Sequence, residues 1–303
     1  MARKDYADQV RLLVRILPLV AEEKVFALKG GTAINLFFRN LPRLSVDIDL
    51  TYLPIKDRNA SLADIKDAIG RIRDRIEGMR DLNATMTQRS GGAPRIIASK
   101  GRTRIKIETS PVTRGVVFDP VLRRVSEAVE DEFGFAEMKL VSFEDVYGGK
   151  LHAALDRQHP RDLFDVKYLY ANEGITDDLF RAFMVYVASS PRPAHELLNP
   201  NRISLDEVYA KEFVGMDNKD TKLSELLEVR EKLIDDIQSR LDGSVSEFLM
   251  TLQAGKPNFD LIDLPDAAEL PAIQWKVRNL RRLIESNPDK HVKQLKQLTD
   301  LFH

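Results

Sequence analysis

Apolar and polar positions follow one rhythm in the first part of this chain and another after residue 139. Residues 5–23 space Val10, Leu13, Val14 and Leu17 at helical intervals, with a break at Pro18. The apolar run 25–28 predicts a strand, and Gly30-Gly31 a turn. Thr32 then caps a helix reaching Arg39, and after a loop at Pro42 residues 45–50 predict a second strand. Tyr52 to Pro54 ends that strand. A helix starting at Ser61 or Asp64 carries Ile65, Ile69, Ile72 and Ile76 along one face to Gly78. Residues 95–99 and 102–109 read as a hairpin turning at Lys100-Gly101. Its second strand alternates, with Ile105 and Ile107 on one face and Arg104, Lys106 and Glu108 on the other. Residues 111–120 read as loop or edge strand, before a polar stretch to Glu132.

From 139 onward the period is helical. Helices are expected over 146–157, 161–170, 177–188, 222–241, 245–252 and 273–287, with His159-Pro160 separating the first two. Loops rich in Pro, Asn and Asp lie at 189–202 and 255–271. The class implied is α+β: an α/β domain with a small mixed sheet over 1–138, then a helical domain over 139–303.

Composition narrows the picture modestly. At 43% hydrophobic and 31% charged, the chain reads as an ordinary soluble protein. Its 46 basic and 47 acidic residues leave a formal charge of −1, so overall charge does not announce a nucleic-acid binder. The absence of cysteine excludes disulfides and thiolate metal sites and suits a reducing cytoplasm. The first twenty residues lack a signal-peptide core and a membrane span, so no membrane association and a cytoplasmic location are expected. Five histidines without HxH or HExxH spacing make a zinc site an unattractive reading. Neither a Walker A sequence nor a serine-hydrolase elbow is present.

The chemistry concentrates in residues 29–50, KGGTAINLFFRNLPRLSVDIDL. Asp47 and Asp49 alternate with Val46, Ile48 and Leu50, so both carboxylates share one strand face about 6–7 Å apart. Such a pair suits Mg²⁺, which takes oxygen ligands and bridges to phosphates. Gly30-Gly31 lets backbone approach a phosphate, and the helix start at Thr32 aims N–H groups at it. The second hairpin strand directs Lys106 and Glu108 from one face, as cleft residues or as a solvated face. Gly148-Gly149 inside a helix costs roughly 1 kcal/mol per glycine relative to alanine, which points to close approach by a ligand or another backbone. Arg39, Arg43 and Arg161 fit phosphate or RNA contacts or plain surface, with Arg43 preferred because it precedes the aspartates. Trp275 is expected to pack its helix rather than stack a base.

GGTAINL followed by RLSVDIDL, then GGKLHAALDR and HPRDLFDVKYL, resembles in order the four motifs of the AbiEii/AbiGii toxins. These toxins and their mycobacterial MenT relatives belong to the DNA polymerase β-like nucleotidyltransferase superfamily. The resemblance spans about residues 25–170. It implies that Gly30, Gly31, Thr32, Arg43 and Ser45 serve the nucleotide, that Asp47 and Asp49 hold the metal, and that Lys150 binds its phosphates. The fourth-motif aspartate falls on Asp162 or Asp165. Glu108 stands where the superfamily carries a third metal carboxylate, more commonly Asp. The helical domain would complete the nucleotide and acceptor cleft.

The activity implied is transfer of an NMP from an NTP to an acceptor hydroxyl with Mg²⁺ or Mn²⁺. The acceptor would be RNA, at a tRNA 3′ end, and the role a phage-defence toxin with a cognate antitoxin. Two alternatives stand beside it: transfer to a protein or small-molecule hydroxyl, and a non-catalytic nucleotide-binding regulator.

Overall fold

The computed structural model describes residues 2–88 and 92–302. Two compact units are formed, Met1–Ser142 with Gly215–Asp220, and Phe143–Val214 with Thr221–His303. The expected boundary at 138 therefore falls inside a strand, and a short polar segment far along the chain returns to the first unit.

The first unit is built on strands β1 (Phe26–Lys29), β2 (Asp47–Tyr52), β3 (Asn83–Gln88), β4 (Pro94–Lys100), β5 (Thr103–Thr109), β6 (Val121–Arg124) and β7 (Glu137–Leu140). They form one mixed sheet in the order β3-β4-β5-β2-β1-β7-β6. The two central partners of β2 differ in direction, β1 being antiparallel to it and β5 parallel. β4 and β5 close a hairpin in which Lys100 pairs with Thr103, and Gly101 takes a left-handed φ of 57° in the turn. Residues 111–120 are irregular rather than a strand, while the polar stretch beyond them supplies edge strand β6 and a short helix.

Helices α1 (Ala2–Ala21), α2 (Gly30–Ala33), α3 (Arg58–Glu77) and α4 (Glu127–Phe133) accompany the sheet. The buried faces of α1 and α3 are those given by their spacing: Val10, Leu13, Val14 and Leu17 on one, Ile65, Ile69, Ile72 and Ile76 on the other. α1 runs past Pro18, which sits in its last turn and costs it a single donor. α3 starts earlier than Ser61, because Asp57 caps it by accepting from the Asn59 and Ala60 N–H groups. Buried Glu23 ties the two helices, with Arg71 and Arg75 each 2.7 Å from its carboxylate.

The second unit is helical: α5 (Phe143–Asp156), α6 (Pro160–Ala171), α7 (Asp177–Ser189), α8 (Ala194–Leu198), α9 (Asp206–Glu212), α10 (Leu223–Gln238), α11 (Gly243–Gln253), α12 (Pro271–Ser286) and α13 (Pro288–Thr299). Two 3₁₀ turns, Phe259–Ile262 and Pro265–Glu269, lead into α12. Its centre is the packing of α5 on α7. Gly148 and Gly149 make that approach possible. A Cβ at Gly148 would lie 3.1 Å from the Tyr186 ring and 3.2 Å from the Phe183 backbone nitrogen. At Gly149 its nearest neighbour would be the Tyr186 ring, at 3.3 Å. Another helix, rather than a ligand, accounts for these glycines. Gly148→Ala should therefore destabilise the protein by about 1–3 kcal/mol through overpacking against backbone that cannot yield. Gly149→Ala should be close to neutral, since a ring can turn aside. Urea midpoints of the two variants check this, and equal losses would contradict it.

Candidate active site

The glycine turn leaves β1 with Gly30 in a left-handed conformation, φ 75°. A Cβ there would sit 2.9 Å from Asp49 Oδ2, so glycine is required both by the backbone and by the carboxylate lying over it. Gly31 is similarly covered, since its Cβ would lie 2.7 Å from the Arg43 guanidinium and 2.9 Å from Ser45 Oγ. Residues Gly30–Ala33 begin a helix that passes into a π-helical turn over Ile34–Phe38. Thr32 lies inside this helix rather than capping it. Its hydroxyl donates to the Asp47 carbonyl at 2.5 Å and pairs with Ser45 Oγ at 3.1 Å, joining turn to strand. Lys29 occupies the N-cap position and makes no side-chain capping bond.

Ser45 precedes β2 instead of opening it, and the strand begins at Asp47. Arg43 is buried; its guanidinium donates to the Leu44 carbonyl at 2.9 Å and its backbone pairs with Asp217 of the returning segment. Leu44 N–H is likewise held by the Met216 carbonyl at 2.9 Å.

β2 carries Asp47 and Asp49 on one face while Ile48 and Leu50 are fully buried on the other. The parallel register with β5 sets Asp49 beside Glu108 and Asp47 beside Lys106, and on the opposite side Lys29 faces Asp49. Five charged side chains on three central strands, Lys29, Asp47, Asp49, Lys106 and Glu108, thus make one charged patch. Lys106 lies 3.1 Å from Glu108 and 3.9 Å from Asp47, and Arg95 lies 3.6 Å from Glu108. Burial pushes the Asp49 carboxyl up, Lys29 opposes the rise, and the Asp47 and Glu108 charges add to it. Ionised Asp49 therefore needs neighbouring cations to offset its burial.

That need is the test of whether a divalent ion fits. Among the described residues no three His, Asp or Glu side chains draw together into a metal-binding group. Glu108 is instead engaged by Lys106 and Arg95. The remaining pair, Asp47 and Asp49, meets the usual Mg²⁺ pattern of one or two carboxylates completed by substrate phosphates. Lys29 and Arg95 went unremarked in the sequence. Lys29 was legible as the one charged residue closing an apolar strand, whereas Arg95 is visible only once β4 is aligned on β5.

The later motifs converge within the second unit. Lys150 Nζ lies 2.8 Å from Asp162 and 2.9 Å from Asp165, and all three side chains are buried. Asp162 also accepts from Arg157 Nε at 2.6 Å. Burial would push the Asp162 carboxyl up, but Lys150 and Arg157 outweigh it and hold the group well below the usual carboxylate range. Both aspartates therefore serve the same lysine. His159 caps α6 by accepting the Arg161 N–H at 3.1 Å, which explains why the motif opens His-Pro. Arg161 is only partly covered and lies 3.8 Å from Glu212.

The mixed sheet thus carries a glycine turn that feeds a helix and an acidic pair on the next strand, and the family model over most of the chain makes it a nucleotidyltransferase. It belongs to the family described as nucleotidyl transferase AbiEii toxin, type IV TA system, whose model matches residues 11–279. It is thus a nucleotidyltransferase toxin of a type IV toxin–antitoxin system. Among solved structures it is similar to MenT4, a nucleotidyltransferase toxin from Mycobacterium tuberculosis H37Rv. That likeness has 15% identity and a TM-score of 0.62, covering 91% of this chain and 93% of that one. It is also similar to JHP933 from Helicobacter pylori, with 18% identity, a TM-score of 0.45, and 82% and 97% of the two chains covered. The likeness to MenT4 concerns the fold. No curated protein matches the sequence. Among the described residues no helix is long and apolar enough to cross a membrane.

Proposed function

We propose that this toxin moves an NMP from an NTP to a hydroxyl of RNA, at a tRNA 3′ end, releasing pyrophosphate, with Mg²⁺ or Mn²⁺ as cofactor. The observation that carries the reading is the acidic pair Asp47 and Asp49, lying against a glycine turn whose first Cβ position the Asp49 carboxylate already fills. A divalent ion bound there supplies charge neutralisation on the triphosphate. Asp47 and Asp49 would hold it, and Glu108 on the neighbouring strand would join them only on leaving Lys106 and Arg95. Gly30 and Gly31 would offer backbone N–H groups to phosphate oxygens from a turn over which Asp49, Arg43 and Ser45 close, and the Ser45 and Thr32 hydroxyls bond that turn to β2.

Lys150, Asp162 and Asp165 enter this reading through the order of the motifs. Lys150 would bind the nucleotide phosphates, with Asp162 and Asp165 as its catalytic partners, and within their own unit the three form a buried charge network joining α5 to α6. Phage defence and a cytoplasmic setting follow the family's role as a toxin restrained by an antitoxin.

Incubation with labelled NTPs and total RNA tests the proposal. Label should enter RNA with the parent protein, and Asp47→Ala should reduce it to background while the circular dichroism spectrum is unchanged. Label appearing on protein or a small-molecule hydroxyl would redirect the reading, and undiminished transfer by the variant would sink it.

A further inference from the structure

Helix α12 buries Ala272, Ile273, Lys276 and Leu280 and turns its other side outward. Trp275, the only tryptophan in the chain, lies on that outer side and is 53% exposed. It does not pack the helix as its surroundings suggested. Arg278 lies one turn on, with its guanidinium 6.0 Å from the indole ring. Arg278, Arg281 and Arg282 line a groove of about 750 Å³ together with Lys256 and Glu285. Exposed arginines on a helix ordinarily find carboxylates three or four residues away. Among the described residues none of these four cations forms an ion pair, and Glu285 is the one acidic side chain lining the groove.

We propose that this strip binds single-stranded RNA, a base stacking on Trp275 and the backbone phosphates running along Lys256, Arg278 and Arg282. The inference rests on the RNA-acceptor reading above for the identity of the strand. An aromatic face flanked by uncompensated arginines is the arrangement that single strands use: stacking tolerates any base, while the cations follow the backbone. Arg281 is partly committed, its Nε donating to the Gly255 carbonyl at 2.9 Å, and so stiffens the groove wall. A bilayer surface suits the strip poorly. The apolar face of α12 is already spent on the core, leaving a concave basic groove with a single aromatic rather than an insertable stripe.

The intact protein is titrated with a labelled single-stranded RNA of about twelve nucleotides, followed by polarisation and by quenching of the lone tryptophan. Saturable quenching is expected. The affinity should fall about tenfold in Trp275→Ala and recover largely in Trp275→Phe. Arg278→Ala with Arg282→Ala should flatten the slope of log affinity against log salt by roughly 1.4, two phosphate contacts' worth. Both sites are exposed, and unchanged thermal melts keep the comparison valid. RNA binding that ignores these substitutions, or that leaves the tryptophan unquenched, overturns the proposal. So does a blue shift on anionic phosphatidylglycerol vesicles without quenching by RNA. Asp47→Ala should bind RNA as the parent does. Loss of label transfer with binding intact touches the acidic pair alone, and transfer without strip-dependent binding refutes the strip alone.

Discussion

Asp49→Asn should lower nucleotide transfer by about a thousandfold, the loss expected when a phosphoryl-transfer site forfeits several kcal/mol of metal-borne charge stabilisation. The same substitution should leave the fold as stable as the parent, or more so. Burial together with the Asp47 and Glu108 charges raises the Asp49 carboxyl, so in the folded protein its ionised form is disfavoured. The sign follows from proton linkage. A carboxyl raised on folding binds protons more tightly when folded, so its cost grows as pH climbs above the ordinary carboxylate value. Asparagine keeps the shape and removes the charge. Melts at pH 7 should therefore favour the variant, with the difference closing as pH falls toward the ordinary carboxylate range. A drop of several degrees at pH 7, or transfer near parental levels, would contradict this account of the pair.

Lys150→Ala should behave in the opposite way. It takes the shared lysine from two carboxylates whose side chains are each 1% exposed, leaving Asp162 to Arg157, and breaking a buried pair from one side costs about 3–5 kcal/mol. For a protein of this size that is a fall of roughly 10 °C in melting temperature. The loss should be greatest at neutral pH. Asp162 is depressed in the folded state, so its stabilising contribution is complete above the ordinary carboxylate value and disappears as pH falls below it. The gap between parent and variant should narrow accordingly in acid. Lys150→Met combined with Asp162→Asn and Asp165→Asn should recover most of the stability, because the buried charges are then gone and Arg157 is 59% exposed. Failure of that recovery would mean that the network does more than balance its own charge.

How legible these features were depended on how strongly local pattern and burial agree. The turn, the acidic strand and the β4–β5 hairpin were readable because each alternates apolar and polar residues in a sheet centre with two distinct faces. β3 and β6 were not. Asn83–Gln88 is mostly polar, and Val121–Arg124 is exposed throughout, so neither edge strand carries a buried stripe. β7 is four residues long and was absorbed into the domain boundary. Thr32 looked like a cap because threonine often is one; only the neighbouring strand shows its hydroxyl turned to Asp47. Asp162 and Asp165 could not be ranked as the fourth-motif aspartate from sequence, and both contact Lys150. Trp275 was expected to pack its helix, although its place in the helical repeat, opposite Ile273 and Leu280, already set it outward.

The return of residues 215–220 to the first unit has a consequence for synthesis. The loop carrying Arg43 is completed by Met216 and Asp217, so a nascent chain that has reached residue 142 holds every strand of the sheet but not the backing of that loop. Domains usually fold as they emerge. Here the first unit must wait while some seventy residues of helical unit are made, and a toxin assembled in that order has its acidic pair in place well before the loop beside it is closed.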